Sequence, residues 1–169
     1  VIHKKYQNKQ HNKPYYLALN KRRTHKMTTV AQVIQNKLGQ EIHTISPDST
    51  VLQAITLMAN KGIGAVVVTE NDKVVGILSE RDYTRKIALM QRTSDHTTVA
   101  EIMTPKVISV TRHNTVDECL GLMTDRHLRH LPVMDGETLI GFISIGDLVK
   151  AAMEDQHKLI EQLQQYISG

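Results

Sequence analysis

The sequence lacks most of the features that membrane proteins and disulfide-bonded proteins carry. Its 169 residues include no tryptophan, one phenylalanine and one cysteine, Cys119. Aliphatic side chains must therefore fill any core, and no internal disulfide can form. A single cysteine is consistent with a reducing cytoplasm, where we expect the protein to reside. No apolar run approaches the roughly 20 residues that are needed to span a bilayer.

The common motifs of nucleotide-dependent enzymes are also missing. The sequence has no Gly-x-x-x-x-Gly-Lys-Ser/Thr loop, no Gly-x-Gly-x-x-Gly turn and no His-Glu-x-x-His pair. We therefore expect neither an ATPase nor a dehydrogenase, and no enzyme in general. Nucleotide binding as a signal is not excluded. His127 and His130 have no carboxylate or cysteine at ligand spacing, so we expect no metal.

Positive charge is concentrated at the start of the chain. Residues 1–26 contain eight lysines and arginines and no acidic residue, whereas residues 27–169 contain 13 basic and 17 acidic residues. We expect 1–26 to be a non-native or flexible leader, with Met27 as the natural first residue. The alternative is a basic arm that binds nucleic acid, which would make the protein a DNA-associated regulator.

The sequence after this leader repeats itself. Residues 74–82 read Val-Val-Gly-Ile-Leu-Ser-Glu-Arg-Asp, and residues 139–147 read Leu-Ile-Gly-Phe-Ile-Ser-Ile-Gly-Asp, 65 residues later. Matching positions continue at this offset without a gap, which indicates a duplicated structural unit. The serine and aspartate of each copy can hydrogen-bond a ribose diol. The shared glycine, serine and aspartate are Gly76, Ser79 and Asp82 in the first copy, and Gly141, Ser144 and Asp147 in the second.

Apolar periodicity and turn residues predict the same elements in each unit: strand, helix, strand, strand, helix. We expect an α+β fold in which two βαββα repeats pack about a pseudo-twofold axis, followed by a C-terminal helix. That helix either closes the second repeat or pairs with a second chain. The predicted boundaries are a first repeat at 27–92, a second at 93–153 and the C-terminal helix at 154–169. In the first repeat we expect a helix over 30–38, ended by Gly39, and then a strand at 42–45. A second helix follows, capped by Asp48 or Ser49 and running to about Asn60. The unit ends with a hairpin of strands 65–69 and 73–78, which turns at Asn71-Asp72, and with a helix over 79–90 capped by Ser79.

The two motifs, together with Arg129-His130-Leu131-Pro132-Val133, resemble a pair of CBS (cystathionine-β-synthase) domains, also called a Bateman module. The resemblance covers about residues 30–150, and Ser79 to Ile87 is similar to the small stand-alone bacterial members. It implies a regulatory protein that binds AMP, ADP, ATP, S-adenosylmethionine or NAD(H). It also implies a homodimer of such pairs, and a signal passed to an effector protein. A module that dimerises without any ligand is the alternative.

The resemblance also implies which residues contact the ligand. The motif aspartate bonds the ribose hydroxyls, the serine assists, and the opposite repeat supplies the base pocket. Arg129 and His130 would contact phosphates, and we expect them to favour the ligand held by Ser144 and Asp147. Ser144 and Asp147 would face a base held near Ile42, His43, Ile63, Gly64 and Ala65. Ser79 and Asp82 would face a base held near Val107, Ile108, Leu128, Arg129 and His130. The predicted ligand-binding residues also include Ile77 and Phe142, which follow the motif glycines.

Both motifs also have a purely structural interpretation. Ser79 and Ser144 can cap helices, and Asp82 and Asp147 can be first-turn acids that suit the helix dipole. Gly76 and Gly141 can simply bend a strand, or they can let a ligand approach the backbone.

Overall fold

The computed structural model describes residues 27–37, 39 and 41–168. The predictions for the leader 1–26, and for Leu38 in the first helix, lie outside these residues. The described elements are α1 (Val30–Gln35), β1 (Thr44–Ile45), α2 (Val51–Lys61), β2 (Ala65–Glu70), β3 (Lys73–Ser79), α3 (Glu80–Tyr83), a π-helical turn (Thr84–Ala88), α4 (Val99–Ile102), α5 (Val116–Arg126), β4 (His130–Asp135), β5 (Thr138–Ser144) and α6 (Ile145–Ser168).

Each repeat is built on a β-hairpin. In the first, β2 pairs antiparallel with β3 and parallel with β1. In the second, β4 pairs antiparallel with β5. The 65-residue offset predicts a strand at 107–110, equivalent to 42–45, but the structure has only a parallel bridge between Val110 and Val133 there. The ladders are irregular at equivalent positions, after Val68 and after Val133. The chain is therefore an α+β protein of two like repeats, as the sequence predicts.

Local signals explain where most elements begin and turn. Asn71 and Asp72 both have positive φ, 49° and 62°, which suits the tight hairpin turn that their side chains predict. Helix α2 ends at Gly62 in the left-handed conformation. Its N-cap is Thr50, which accepts a hydrogen bond from the Gln53 backbone N–H, and not Asp48 or Ser49 as predicted. Thr50 takes this role because its side chain and that of Gln53 form a capping box.

Two predicted helices are shorter than expected. Helix α1 ends at Gln35 with Asn36 as its C-cap, so Gly39 does not cap it. The helix predicted over 79–90 contains one α-helical turn after the Ser79 cap, and then the π-helical turn from Thr84 to Ala88.

The two hydrophobic cores exchange their short helices. Val30 and Val33 of α1 are buried in the core of the second repeat, whereas Val99 and Ile102 of α4 are buried in the core of the first. Backbone bonds fix both helices in these places: Val30 N–H donates to the Asn114 carbonyl at 2.8 Å, and Val99 N–H donates to the Ser49 carbonyl at 2.8 Å. The packing therefore crosses the repeat boundaries at 27–92 and 93–153, which remain predictions.

Helix α6 has two different parts. Leu148 and Ala151 at its start are buried in the second core. Further along, apolar side chains face solvent, including Leu163 at 54% and Tyr166 at 90% exposure. The first part closes the second repeat, and the second part carries an uncovered apolar stripe. Within the described residues, no helix combines the length and the apolar character that crossing a membrane requires.

Candidate functional site

Two cavities lie between the repeats, and each contains one Ser–Asp motif. The cavity that contains Ser144 and Asp147, here called the Ser144 cavity, has a volume of about 710 Å³. The cavity that contains Ser79 and Asp82, the Ser79 cavity, has a volume of about 510 Å³. Both are large enough for a small-molecule ligand. Each has walls from both repeats, so a ligand in either would contact both.

The structure brings the predicted residues together in the predicted groups. Their role in binding stays a prediction, but their placement is a structural fact. The Ser144 cavity is lined by Ile42, His43, Ile63, Gly64, Ala65 and Phe142 with Ser144 and Asp147, and the Ser79 cavity by Ile77, Val107, Ile108, Leu128, Arg129 and His130 with Ser79 and Asp82.

Both Ser–Asp pairs form the same hydrogen-bonded box at a helix start. Ser144 donates from its backbone N–H and its hydroxyl to Asp147 Oδ2 at 2.7 and 2.8 Å, and Asp147 N–H donates back to Ser144 Oγ at 3.2 Å. In the other box, Asp82 Oδ2 accepts from the Ser79 N–H at 3.0 Å and from its hydroxyl at 2.6 Å. The structural interpretation of these residues is therefore correct. It does not exclude ligand binding, because the box uses one carboxylate oxygen and holds the other in a fixed direction.

A lysine absent from the predicted set completes the Ser144 cavity. Lys37 Nζ lies 2.9 Å from Asp147 Oδ2 and donates to the Phe142 carbonyl at 3.2 Å. It lies 110 residues from Asp147 in sequence, so no spacing rule could have connected the two. Asp147 Oδ2 thus receives three donors, while Oδ1 accepts no hydrogen bond from any residue that the structure describes.

The charge state of Asp147 follows from these contacts. Burial alone would raise the pKa of its carboxyl, but the Ser144 backbone N–H, Lys37 and the Ser144 hydroxyl outweigh burial and hold the pKa below the usual range. Asp147 is therefore ionised at neutral pH. Asp147 lines the cavity, and its charged Oδ1 has no hydrogen-bond donor among the described residues.

The equivalent aspartate of the first repeat is more fully engaged. Lys86 Nζ lies 3.1 Å from Asp82 Oδ1 and also donates to the Ile102 carbonyl at 2.6 Å. Both oxygens of Asp82 therefore have partners, one from Ser79 and one from Lys86. A ribose in the Ser79 cavity would have to share or displace Lys86.

His130 and Arg129 are adjacent in sequence but line different sets of cavities. His130 lines both cavities and stacks on Phe142, with ring centroids 5.4 Å apart. Burial, followed by the charges of Arg129 and Lys37, lowers its pKa against the opposing effect of Asp147, so the imidazole is neutral at neutral pH. Arg129 lines the Ser79 cavity. Arg129 is not among the residues that line the Ser144 cavity, so its contact with a ligand held by Ser144 and Asp147 stays a prediction.

The motif glycines make room for the exchanged helices, and Gly141 also lines the Ser144 cavity. A Cβ placed on Gly141 would lie 2.8 Å from Ile34 Cγ2 of helix α1. A Cβ on Gly76 would collide with Met103, which follows helix α4. Each glycine thus lets a side chain from the helix at the edge of the other repeat pack on its strand.

Metal binding and cysteine chemistry have no visible site in the described part of the chain. No group of three or more histidine, cysteine, aspartate or glutamate side chains there is placed to hold an ion. Cys119 is fully buried in the second core, and burial raises the pKa of its thiol to about 11. It is a small core residue, as its alignment with Ala54 predicts.

Comparison with known proteins identifies one family. The family model for the CBS domain matches residues 30–89 and 99–154. The mitochondrial CBS domain-containing protein CBSX3 of Arabidopsis thaliana is 37% identical over 151 residues, which are 84% of this chain and 73% of that protein.

Solved structures agree with this match. A protein with CBS domains from Burkholderia ambifaria is 51% identical, with a TM-score of 0.73 over 76% of this chain and 96% of that one. The CBS domain pair of protein MJ0100, in complex with 5′-methylthioadenosine and S-adenosyl-L-methionine, is 21% identical with a TM-score of 0.64 over 74% of this chain and 95% of that one. The last shares the fold.

Proposed function

This chain belongs to the CBS domain family, and we propose that it is a non-catalytic regulatory module that binds an adenosyl ligand between its two repeats. The observation that carries the proposal is Asp147 Oδ1, which accepts no hydrogen bond from residues 27–37, 39 or 41–168. An ionised carboxylate, fixed by Ser144 and Lys37 and open toward a cavity of about 710 Å³, suits the paired hydroxyls of a ribose.

The rest of the cavity suits an adenine ring. Ile42, Ile63 and Ala65 of the first repeat offer apolar surface opposite the carboxylate, and Phe142 adds an aromatic ring. The MJ0100 pair, which has the same fold, was solved with two adenosyl ligands. AMP, ADP, ATP, NAD(H) and S-adenosylmethionine share the adenosine group that these contacts would bind, so the proposal covers all five.

Binding would act by population shift. A ligand that contacts both repeats favours one relative packing of them, by as much as its affinity differs between the two packings. We propose that this change in packing is transmitted to a second copy of the chain and to an effector protein in the cytoplasm. The apolar stripe of α6, which includes Met153, Ile160 and Leu163, supports pairing with a second copy because these side chains are about half exposed or more.

Isothermal titration calorimetry of the full chain against adenosine, AMP, ADP, ATP, NAD⁺, NADH and S-adenosylmethionine tests the proposal. Asp147→Asn keeps the size of the side chain and removes the charge. We expect it to weaken binding in the Ser144 cavity by roughly 10- to 100-fold, the range for a hydrogen bond to a charged group. Asp125→Asn, on the exposed end of α5, is the matched control and should change nothing.

Two other outcomes would redirect the function. A folded, dimeric protein that binds none of these ligands would support a ligand-free dimerisation module. DNA binding that weakens steeply with salt and is lost when residues 1–26 are removed would support a DNA-associated regulator. That second function would depend on residues outside those that the structure describes.

A further inference from the structure

We propose that the two cavities bind adenosyl ligands of different charge. The Ser79 cavity would take a ligand with two or more phosphates, such as a nucleoside di- or triphosphate or a dinucleotide. The Ser144 cavity would take one with at most a single phosphate, such as a nucleoside, a nucleoside monophosphate or a sulfonium nucleoside. This inference rests on the proposed function.

Equivalent positions of the two cavities differ in charge. The repeat offset of 65 pairs Lys106, in the wall of the Ser79 cavity, with Glu41, in the wall of the Ser144 cavity. It likewise pairs Arg129 with Gly64. Two sites of common origin thus differ by a reversed charge at one position and by a lost cation at another.

The complete linings show the same contrast. The Ser79 cavity has five basic residues against the acids Glu80 and Asp82, which gives a formal charge of +3. The Ser144 cavity has Lys37 and Lys61 against Glu41 and Asp147, which gives zero. The five basic residues of the Ser79 cavity are Arg81, Arg85, Lys106, Arg126 and Arg129.

These five cations are also available to a ligand. Counting only residues 27–37, 39 and 41–168 as partners, none of them is in an ion pair, whereas Lys37 is bound to Asp147. All five are exposed. Four of the five are arginines, and a guanidinium fork can bond two phosphate oxygens at once.

The carboxylates complete the contrast. Within the part of the chain that the structure describes, Asp147 Oδ1 has no donor and is open to a ribose, but Lys86 occupies the corresponding oxygen of Asp82. We therefore infer that the ribose dominates recognition in the Ser144 cavity, whereas phosphates dominate in the Ser79 cavity. The difference in ligand preference follows from charge and not from volume, because the Ser144 cavity, whose formal charges sum to zero, is the larger, at about 710 Å³ against 510 Å³.

Exchanging the charges at the paired positions tests this inference. Calorimetry on the full chain would compare adenosine with ATP for the wild type, Lys106→Glu and Glu41→Lys, at low and at high salt. Lys106→Glu reverses one charge next to the phosphates. It should weaken ATP binding in the Ser79 cavity by roughly 10- to 100-fold and leave adenosine binding unchanged. Glu41→Lys should create a second ATP site. Salt should weaken ATP binding and not adenosine binding.

Lys158→Glu on the exposed part of α6 controls for a change in net charge alone, and should leave both affinities at wild-type values. The inference is overturned if Lys106→Glu lowers ATP and adenosine affinity equally, or not at all, in a protein that binds both. If neither ligand, nor any other adenosyl compound, binds the wild type, the proposed function itself fails. The two failures are therefore distinguishable.

Discussion

Replacing Gly141 with alanine tests how closely helix α1 is packed on strand β5. The new Cβ would lie 2.8 Å from Ile34 Cγ2 and 3.3 Å from Val133 Cβ. Carbon atoms in good contact lie about 3.5–4.0 Å apart, so Ile34 would have to move by roughly 0.7 Å or more. Ile34 is branched at Cβ and has little rotamer freedom, so the movement must involve helix α1 itself.

The size of the effect follows from two opposing contributions. Overpacking a core position costs about 1–3 kcal/mol. Removing a glycine from a strand recovers about 0.5–1 kcal/mol of backbone entropy. The net loss of stability should therefore lie between about 0 and 2.5 kcal/mol, and its central value of about 1.3 kcal/mol lowers the melting temperature by about 3–5 °C in a domain of this size.

Gly121 provides the matched control. It lies within helix α5, and a Cβ there would meet nothing within 4 Å. Gly121→Ala should therefore raise stability by about 0.5–1 kcal/mol. Calorimetric melting of both variants gives the comparison. If Gly141→Ala also melts at or above the wild-type temperature, the result refutes the close packing of helix α1 on strand β5.

A second variant separates the contact from general strain in β5. Ile34→Ala removes the methyl group that collides with the new Cβ. In the double variant with Gly141→Ala, the loss of stability should be smaller than the sum of the two single losses by about 1 kcal/mol. Strict additivity would mean that Ile34 is not the group that requires a glycine at this position.

Three further predictions concern the cores and the titrating groups. Val30→Ala should lower the free energy of unfolding by about 2 kcal/mol and speed hydrogen exchange first in β4 and β5. Val99→Ala should speed exchange first in β2 and β3. The opposite order would contradict the exchange of helices. The folded-state pKa of Asp147 is lowered, so its ionised form stabilises the protein above the normal carboxyl range, and this contribution is lost as pH falls through the lowered pKa. Asp147→Asn should therefore show a flatter decline of urea stability in acid than the wild type does, and an equally steep decline would refute this. The buried Cys119 thiol, with a pKa of about 11, should react with a thiol reagent at pH 8 only after unfolding, so rapid labelling of native protein would contradict its burial.

Local patterns predicted the repeated units well. The hairpin turn at Asn71-Asp72, the buried strand that starts at Ala65 and both Ser–Asp boxes are encoded within a few residues of one another. Register and capping depend on such short-range signals. The 65-residue offset then transferred each prediction from one repeat to the other.

The partner of an amphipathic helix is not encoded locally. Val30 and Val33 predict that α1 buries one face, but nothing in their spacing shows that this face belongs to the second core. Leu52 illustrates the same limit: its position suggests the buried face of α2, yet it is 48% exposed. Burial depends on what lies opposite, which only the tertiary packing decides.

Side-chain direction limited the site predictions in a similar way. Lys37 reaches Asp147 only because α1 is exchanged, so its role depends on the unpredicted packing of that helix. Arg129 and His130 are adjacent in sequence, but Arg129 lines one cavity and His130 lines both. The residues that line each cavity were predictable from the resemblance, whereas the cavity that a given charged side chain reaches depends on the tertiary packing.

The exchange of α1 and α4 has a consequence for the order in which the protein can fold during synthesis. Chains emerge from the ribosome N-terminus first. Helix α1 is therefore made before its backbone partners, the carbonyls of Arg112 and Asn114, which lie more than 80 residues further along. The first core cannot close until Ile102 has been made. A nascent chain that stops between the repeats thus has a complete β2–β3 hairpin, an unfilled core and an apolar helix with nowhere to bind. Such an intermediate is a natural target for chaperones and proteases, and both cores can be filled only once synthesis has reached Ala151.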